Sequence, residues 1–318
     1  MIDRSELVSS ESSAAPRARA GQAALELERV SRRSPGFYQR AWRIFRRNRV
    51  SMVALGVVIL IIAFVLGADL VSEYITGYDY RRGELGEQFK PPFTDGHILG
   101  TDANGRDVLT RLAYGGRVSL LIAGLASLTI VVVGGGVGAV AGFFGGPVDA
   151  VAMRLVDVLL SIPSLPLLIL FASLYRPGPV GLAFILAAVG WTGVARLVRG
   201  EVLSLRERDF VDAARVLGAS NARIITRHIF PNVIPIIVVW VSLAIPGFIL
   251  TEAALSFLGL GVKVPTPSWG NMLQGARDYY TRSWTNVFIP GFMIYITVLA
   301  ISLVGKGLRD ALDPRLNE

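Results

Sequence analysis

The sequence contains no cysteine and only two histidines, His97 and His228. The absence of cysteine excludes a disulfide framework and thiolate metal sites. The chain also lacks an H-E-x-x-H pair, a G-x-S-x-G elbow and a G-x-x-x-x-G-K-S/T phosphate loop, which argues against the usual metalloproteases, serine hydrolases and nucleotide hydrolases. The sequence therefore predicts a protein that is not an enzyme, with no catalytic residue, no metal site and no cofactor in this chain.

Charged residues are also scarce, because they make up 18% of the chain against roughly 25% in soluble domains. They are clustered, so that six long runs carry no charge. These runs are 50–68, 118–148, 158–175, 177–195, 229–251 and 283–305. A membrane-spanning helix needs about 20 predominantly apolar residues, and each run is near or above that length. The sequence predicts an all-α membrane protein with six transmembrane helices in the lipid bilayer.

The net charge of +8 is unevenly distributed. Residues 1–50 hold eleven arginines and residues 196–230 hold seven, whereas residues 72–117 carry six Lys and Arg against seven Asp and Glu. With six crossings, the two arginine-rich regions lie on the same side of the membrane. This asymmetry follows the positive-inside rule and predicts cytoplasmic N and C termini. Nucleic-acid binding is not expected, because no zinc-finger, RNP or basic-zipper pattern accompanies the charge.

The apolar runs contain almost none of the acidic, lysine or histidine residues that ion-coupled carriers use inside the membrane. No selectivity filter or charged ring is recognisable either. Energy for transport is therefore expected to come from another protein. Glu252 falls close to the polar segment that follows the fifth run, so we expect it to be solvated at the membrane interface.

Composition divides the chain into regions. Tyr38, Trp42 and Phe45 recur at helical spacing among arginines, which predicts a helix in the membrane interface. The predicted regions are a disordered cytoplasmic tail (1–35), the interfacial amphipathic helix (36–49), a first transmembrane helix (50–71), an extracytoplasmic segment (72–116, the first polar segment), a five-helix domain (117–307) and a cytoplasmic C-terminus (308–318). A second polar segment (258–282) follows the fifth run.

Small residues and prolines predict details of helix packing. Gly134, Gly138 and Gly142 form a ridge that allows another helix to approach closely. Residues 145–157 read as a short turn, with Arg154 and Asp157 as a solvated pair. Two prolines in the third run, at 163 and 166, predict a kink. In the fifth run, Pro246 and Gly247 predict a break.

The polar loop between the fourth and fifth runs, residues 198–230, is called the basic loop here. Leu203, Phe210, Ala214 and Leu217 fall at offsets 0, 7, 11 and 14, which predicts an amphipathic helix. Gly218 then follows, where helices commonly stop at a left-handed residue. A second stripe consists of Ala222, Ile225 and Ile229. Such a helix–Gly–helix can seat in a protein groove, or it can simply lie on the membrane surface.

The same residues carry a resemblance. Asp212-Ala213-Ala214, Gly218, His228, Pro231 and Asn232 resemble the "EAA" loop of ABC importer permeases, with Asp212 in place of the family's Glu. The resemblance implies a coupling helix that inserts into a groove on a cytoplasmic ATPase subunit. The coupling residues expected on this basis are Leu203, Phe210, Asp212, Ala213, Ala214, Arg215, Leu217, Gly218, His228, Pro231 and Asn232.

Further motifs are similar to the C-type permeases of dipeptide and oligopeptide importers. They are HILGTDANGRDVLTRLAYGGRVSL (97–120), DAVAMRLVDVLLSIPSLPLLI (149–169), EAALSFLGLGVKVPTPSWGNML (252–273) and GLRDALDPR (307–315). The likeness covers roughly residues 37 to 315. Lys306 departs from it, since an acid is usual there. The family implies the ABC type I importer permease fold in a bacterial or archaeal inner membrane.

The resemblance also implies partners. These are a second, similar permease subunit, two ABC ATPase subunits that bind ATP and Mg, and an extracytoplasmic solute-binding protein. The residues placed for docking or gating on that outer side are His97, Gly100, Thr101, Asp102, Gly105, Arg106 and Asp107. An alternative is that they form a turn that caps the second span.

Several alternatives stay open at this point. The solute is a peptide or another small solute such as a nickel chelate, and the second permease is distinct or identical. A channel or ion-coupled carrier, and a membrane scaffold whose basic loop recruits a partner, are the competing functions.

Overall fold

The computed structural model describes residues 37–312, and every regular element in that range is helical. The helices are α1 (Phe37–Arg47), α2 (Arg49–Leu66), α3 (Val108–Phe144), α4 (Gly146–Ser161), α5 (Ser164–Tyr175), α6 (Pro179–Leu205), α7 (Asp209–Val216), α8 (Asn221–Phe257, with a π turn at Ile224–Ile229), α9 (Trp269–Arg277) and α10 (Thr285–Leu312). Three short helical turns, Ala68–Leu70, Val71–Thr76 and Leu85–Glu87, lie between α2 and α3. The predicted tail, 1–35, and residues 313–318 lie outside the described residues.

Five of these helices, α2, α3, α6, α8 and α10, are long and apolar enough to cross a membrane. Helices α4 and α5 pass the same test only as a pair, and they meet at 86°. Whether this bent pair also crosses the membrane decides the topology.

The packing of α3 on α6 answers that question. Gly134 of α3 lies against Trp191 and Val194 of α6, and Gly142 lies against Arg199 and Val202. Residue numbers rise together on both helices, so the two helices are parallel. Two parallel crossings require the intervening chain to traverse the membrane once more. The bent pair is therefore a broken crossing, and the described chain has six crossings, as predicted.

The glycine ridge also packs as predicted. A Cβ at Gly134 would lie 2.5 Å from the carbonyl oxygen of Trp191, and one at Gly142 would lie 2.8 Å from that of Arg199. Gly138 meets the carbonyl of Ala195 in the same way. The two backbones touch because no side chain separates them.

The third crossing differs from the kinked helix predicted there. Residues 146–161, which include most of the predicted turn, form α4. The chain breaks at Ile162, whose backbone is extended with φ −97° and ψ 127°. A residue before proline is driven out of the helical region, and Pro163 follows directly. The predicted kink is therefore a near right-angle break.

The break predicted at Pro246 was wrong, because α8 is helical through both Pro235 and Pro246. A proline at position 246 cannot donate to the carbonyl of Ser242. That carbonyl instead lies against Gly305 of α10, where a Cβ would be 3.0 Å away. The neighbouring helix therefore covers the freed group, as membrane helices require.

The first and last described helices meet at one end of the bundle. Phe45 of α1 is buried against Ala311 and Leu308 of α10. The basic loop lies at the same end, since α6 ends there and α8 begins there. We call this the basic end. Phe45 belongs to the packed bundle rather than to the predicted interfacial set, whereas Trp42 is 51% exposed.

Candidate functional site

The basic loop is a short helix held between two crossings. Helix α6 ends at Leu205, α7 spans Asp209–Val216, and α8 begins at Asn221. Gly218 has φ +79°, and the amide of Ala219 donates to the carbonyl of Ala214 at 3.0 Å. The predicted left-handed stop at Gly218 is confirmed. The loop is thus helix, glycine turn, helix.

The predicted apolar stripe does not lie on one helix. Leu203 belongs to α6, and three residues (206–208) separate α6 from α7 and reset the helical phase. The buried face of α7 consists of Val211 and Ala214, while Phe210 and Leu217 are exposed. Of the second stripe only Ile229 is buried, and Ile224, which was not part of it, is buried in place of Ile225 because a π turn shifts the register there. The sequence stripe therefore mixed inward and outward positions.

The inward side chains fix the loop to the membrane domain. Val211, Ala214 and Ile224 belong to the same buried cluster as Phe143 of α3 and Val202 of α6. The guanidinium of Arg215 lies 5.9 Å from the centre of the Phe143 ring. A protein interior packed in this way transmits displacement, because it has low compressibility. The loop and the crossings beneath it are expected to move together.

An open cleft of about 430 Å³ lies on the outward side of the loop, and the buried Ala214 reaches its floor. It is lined by Phe210, Ala213, Ala214, Leu217, Ala219, Arg223, Arg227 and His228. Five of the predicted coupling residues therefore line one cleft, which the two arginines make basic. The other six, Leu203, Asp212, Arg215, Gly218, Pro231 and Asn232, lie outside its lining.

Those outside the lining have local contacts of their own. Asp212 and Arg215 form an exposed ion pair at 2.9 Å. The side-chain amide of Asn232 donates to the carbonyl of His228 at 2.6 Å. An exposed pair of this kind contributes only about 0.3–0.5 kcal/mol. The carboxylate of Asp212 is thus lightly held.

The tip of α7 exposes two large apolar side chains. Val216 is 88% and Leu217 is 86% exposed. Leu217 lines the cleft, Val216 stands beside it, and both follow the exposed Asp212 and Arg215. Exposed apolar groups rimmed by charged ones are typical of protein interaction surfaces.

Two ion pairs near the basic end were not recognisable from the sequence. Arg199 of α6 binds Asp149 of α4, with Nη2 to Oδ2 at 2.6 Å. Arg196 binds Asp157 at 2.6 Å, so Asp157 does not pair with Arg154 as predicted. The partners are about 40 and 50 residues apart in sequence, and helical spacing reports only local neighbours.

At the opposite end, the first polar segment is organised around His97. Its Nδ1 lies 2.9 Å from Oδ2 of Asp107, and its Nε2 lies 3.2 Å from Oε2 of Glu87. Asp107 caps α3, since its Oδ1 accepts from the Thr110 amide at 2.8 Å. His97, Thr101 and Asp107 are each 1% exposed. These side chains hold the turn together and are not available at the surface.

The exposed part of this segment carries a second charge cluster. The ammonium of Lys90 lies 2.6 Å from Glu87 and 2.9 Å from Asp95. The hydrogen bonds that Lys90 donates to Glu87 and, secondly, to Asp95 raise the pKa of Lys90 to about 12. The Lys90 bond in turn lowers the pKa of both carboxyl groups. The cluster ties Glu87 and Lys90 to Asp95.

Among the predicted outer residues, Asp102 and Arg106 reach a cavity of about 420 Å³, which we call the outer cavity. Asp102 also shapes the turn, because its Oδ1 accepts from the amides of Asn104 and Arg106 at 2.8 and 3.0 Å. Gly100 and Gly105 take positive φ on either side of it. The far wall of the cavity comes from the second polar segment and includes Lys263.

The floor of the outer cavity holds polar groups that sequence reasoning missed. The buried guanidinium of Arg111 has its Nε 3.4 Å from Oδ2 of Asp102. Asn286 donates to the carbonyl of Thr101 at 3.0 Å, and its Oδ1 has no partner among the described residues. Arg111 stands inside HILGTDANGRDVLTRLAYGGRVSL, but only the fold brings it next to residues 262–286. The cavity has the size and mixed lining of a recognition site.

The predicted solvation of Glu252 was wrong, because its side chain is fully buried. Ser256 donates to its Oε1 at 2.7 Å and Ser119 of α3 donates to its Oε2 at 3.0 Å. The amide of Trp269 donates in turn to the Ser119 hydroxyl at 3.2 Å. The second polar segment folds back over the end of α8 and covers the acid. Hydropathy along the chain carries no signal for such a cover.

Two family models match the chain. Residues 134–318 match the binding-protein-dependent transport system inner membrane component, and residues 36–92 match the N-terminal TM domain of oligopeptide transport permease C. Together the two matches include the basic loop and the first 21 residues of the first polar segment, 72–92.

Curated relatives cover nearly the whole length. The chain is 39% identical over 292 residues to the dipeptide transport system permease protein of Bacillus subtilis, covering 92% of this chain and 90% of that protein. It is 37% identical to the oligopeptide transport system permease protein of Haemophilus influenzae, covering 92% and 94%. The corresponding Escherichia coli K12 protein is 39% identical, with coverage of 91% and 94%.

Among solved structures, the chain is similar to one from inward-facing MetNI methionine ABC transporter. The sequence identity is 20% and the TM-score is 0.46, covering 63% of this chain and 95% of that one.

Proposed function

Because the chain belongs to the family of binding-protein-dependent transport system inner membrane components, we propose that it forms half of the translocation pathway of an ATP-driven importer of dipeptides or oligopeptides. The family is one of multi-pass inner-membrane permeases rather than enzymes, and ATP hydrolysis belongs to a separate subunit. The peptide class is inferred from relatives named as dipeptide and oligopeptide permeases that match over about nine-tenths of the chain.

The coupling role rests on one observation, the two-sided construction of α7. Its outward side offers a basic cleft and two highly exposed apolar side chains, Val216 and Leu217. Its inward side packs into the cluster shared by α3, α6 and α8. A partner that grips the outer side can therefore displace several crossings at once.

ATP can bias the permease only if the ATPases engage the loop differently in two states. We propose that ATP-driven closure of two ATPase subunits, which bind ATP and Mg, shifts α7 and its attached crossings as one body. This movement would switch the pathway between outward and inward access. Asp212 is only lightly paired with Arg215, so its carboxylate can exchange that partner for a group on the ATPase.

The basic end is assigned to the cytoplasm of a bacterial or archaeal cell by its arginines. A second, similar permease completes the pathway. The solute-binding protein docks at the opposite end, where the outer cavity is open between the two polar segments. Asp102 and Arg106 are the predicted outer residues that line this cavity, so they are the proposed contacts.

The test of coupling is Leu217→Asp. Leu217 is almost fully exposed, so the substitution removes an apolar contact for a partner without disturbing the core. The matched control is Leu85→Asp, since Leu85 is 79% exposed in the first polar segment. We expect Leu217→Asp to weaken co-purification of the ATPases and to lower ATP-driven dipeptide uptake in proteoliposomes by at least tenfold, which corresponds to about 1.4 kcal/mol.

The Leu85→Asp variant should still co-purify with the ATPases and take up dipeptide at the wild-type rate. Normal uptake and normal ATPase association in Leu217→Asp would contradict the coupling role of the loop. If the wild-type protein associates normally with its ATPases but takes up none of the peptides, the proposed peptide substrate would be contradicted instead.

A further inference from the structure

An apolar groove runs along α2 and α10 and begins at an arginine. Its volume is about 400 Å³, and it is lined by Arg49, Val50, Val53, Ala54, Val57, Ile296, Leu299, Ala300 and Leu303. The hydroxyl of Ser51 donates to the carbonyl of Leu303 at 3.3 Å, which places Leu303 at the Arg49 end. The groove therefore starts at the basic end and runs into the membrane domain.

The depth of this groove matches one leaflet of a bilayer. From Arg49 to Val57 the helix advances eight residues, or about 12 Å at 1.5 Å per residue. The hydrocarbon core of a bilayer is about 30 Å thick, so one leaflet is about 15 Å deep. A single acyl chain fits this length.

Small side chains create the space. Ala54 and Ala300 are buried at the floor of the groove, while Val50 and Val53 are exposed along its wall. Every lining residue except Arg49 is apolar. An occupant of the groove must therefore be a hydrocarbon for most of its length and must tolerate a cation at one end.

The polar end of the groove is strongly basic. Arg43, Arg46, Arg47 and Arg49 are all exposed, and none of them pairs with an acidic side chain among residues 37–312. Trp42 is half-exposed on α1, beside Arg43, and aromatic side chains of this kind sit at headgroup depth. Basic clusters beside a crossing attract anionic headgroups.

We propose that this groove binds one anionic phospholipid, with an acyl chain between α2 and α10 and the phosphate at Arg49. The basic residues just before α2, on α1, supply the surrounding positive potential. The site does not depend on which solute is transported, so it can be tested separately from the proposed function.

The experiment uses the detergent-purified complex with its partner subunits. The complex is incubated with palmitoyl-oleoyl phosphatidylglycerol, or with phosphatidylcholine carrying the same chains, and retained lipid is counted by native mass spectrometry. We expect selective retention of phosphatidylglycerol, reduced about five-fold by Arg49→Gln, since one basic residue near anionic lipid contributes a factor of this size. Arg176→Gln is the matched control, because Arg176 is exposed and lies outside the groove.

A second variant tests the groove itself. Val53→Trp fills the wall at a position that is 69% exposed, so the fold can accept the larger side chain. It should lower phosphatidylglycerol retention as strongly as Arg49→Gln does. Equal retention of both lipids, equal effects of Arg49→Gln and Arg176→Gln, or no effect of Val53→Trp would each overturn the proposal. Val53→Cys introduces a single thiol, because the chain has no cysteine of its own. Efficient cross-linking of that thiol to the partner permease would also overturn the proposal.

Discussion

Replacing Asp107 with alanine removes three contacts at the start of α3. Its carboxylate accepts from the amide and the hydroxyl of Thr110, both at 2.8 Å, and lies 2.9 Å from Nδ1 of His97. The side chain is almost fully buried, and so is His97. Water cannot replace the lost partners without opening the turn.

The size of the effect can be worked from these contacts. Loss of an N-cap costs about 1 kcal/mol. A buried nitrogen of His97 that loses its partner costs about 1–3 kcal/mol more. The sum, about 2–4 kcal/mol, corresponds to roughly 30-fold to several-hundred-fold more frequent local opening, at a factor of ten per 1.4 kcal/mol.

Hydrogen exchange followed by mass spectrometry can measure this opening in peptides that cover residues 97–110. Asp107→Asn is the matched variant, because its amide oxygen can still cap Thr110 and its amide group can still face His97. We expect Asp107→Ala to lose most of its local protection and Asp107→Asn to stay within about tenfold of wild type. Unchanged protection in Asp107→Ala would refute the structural role assigned to this turn.

Other substitutions and pH give further predictions. Gly138→Leu should destabilise the α3–α6 pair by about 1–3 kcal/mol through overpacking. Gly136→Leu should not, since nothing lies within 4 Å of a Cβ at that position. Thermal unfolding of the two variants in detergent compares them directly. Glu252→Leu should cost about 1–3 kcal/mol for each buried hydroxyl it strands, and Glu252→Gln clearly less, so similar midpoints for these two would contradict the buried network. Protection of the first polar segment should hold from neutral pH down to about the usual carboxyl pKa and be lost below it, because Lys90 lowers the folded-state pKa of Glu87. At high pH the stabilisation from Lys90 should be complete below its unfolded-state pKa of about 10.5 and should be lost as the pH rises through its folded-state pKa of about 12. Hydrogen exchange that does not change at either the acidic or the alkaline end would argue against the ion cluster.

Sequence patterns predicted the helical elements well where the structure depends on residues within one helix. Uncharged runs located the crossings, Gly134 and its neighbours located a close packing face, and Gly218 located the end of α7. In each case the signal lies within one continuous stretch of the chain. Of the eleven coupling positions expected in the basic loop, five line its cleft.

The errors at Glu252 and Pro246 have a different cause, since each depends on a neighbour distant in sequence. Glu252 is buried because Trp269 and Ser119 close over it. Pro246 is tolerated because Gly305 approaches the freed carbonyl. Hydropathy and spacing contain no information on which helices meet. The outer cavity was missed for the same reason, since Arg111 and Asn286 are joined only by the fold.

The parallel pairing of α3 and α6 sets an order of assembly. The glycines of α3 are synthesised about 57 residues before their partners on α6, with α4 and α5 between them. Until α6 has entered the membrane, the ridge has no partner and only lipid covers it. If synthesis stalled after α5, the glycine ridge of α3 would stay exposed to lipid without its partner helix. The close contact between α3 and α6 can thus form only after the fourth of the six crossings has been made.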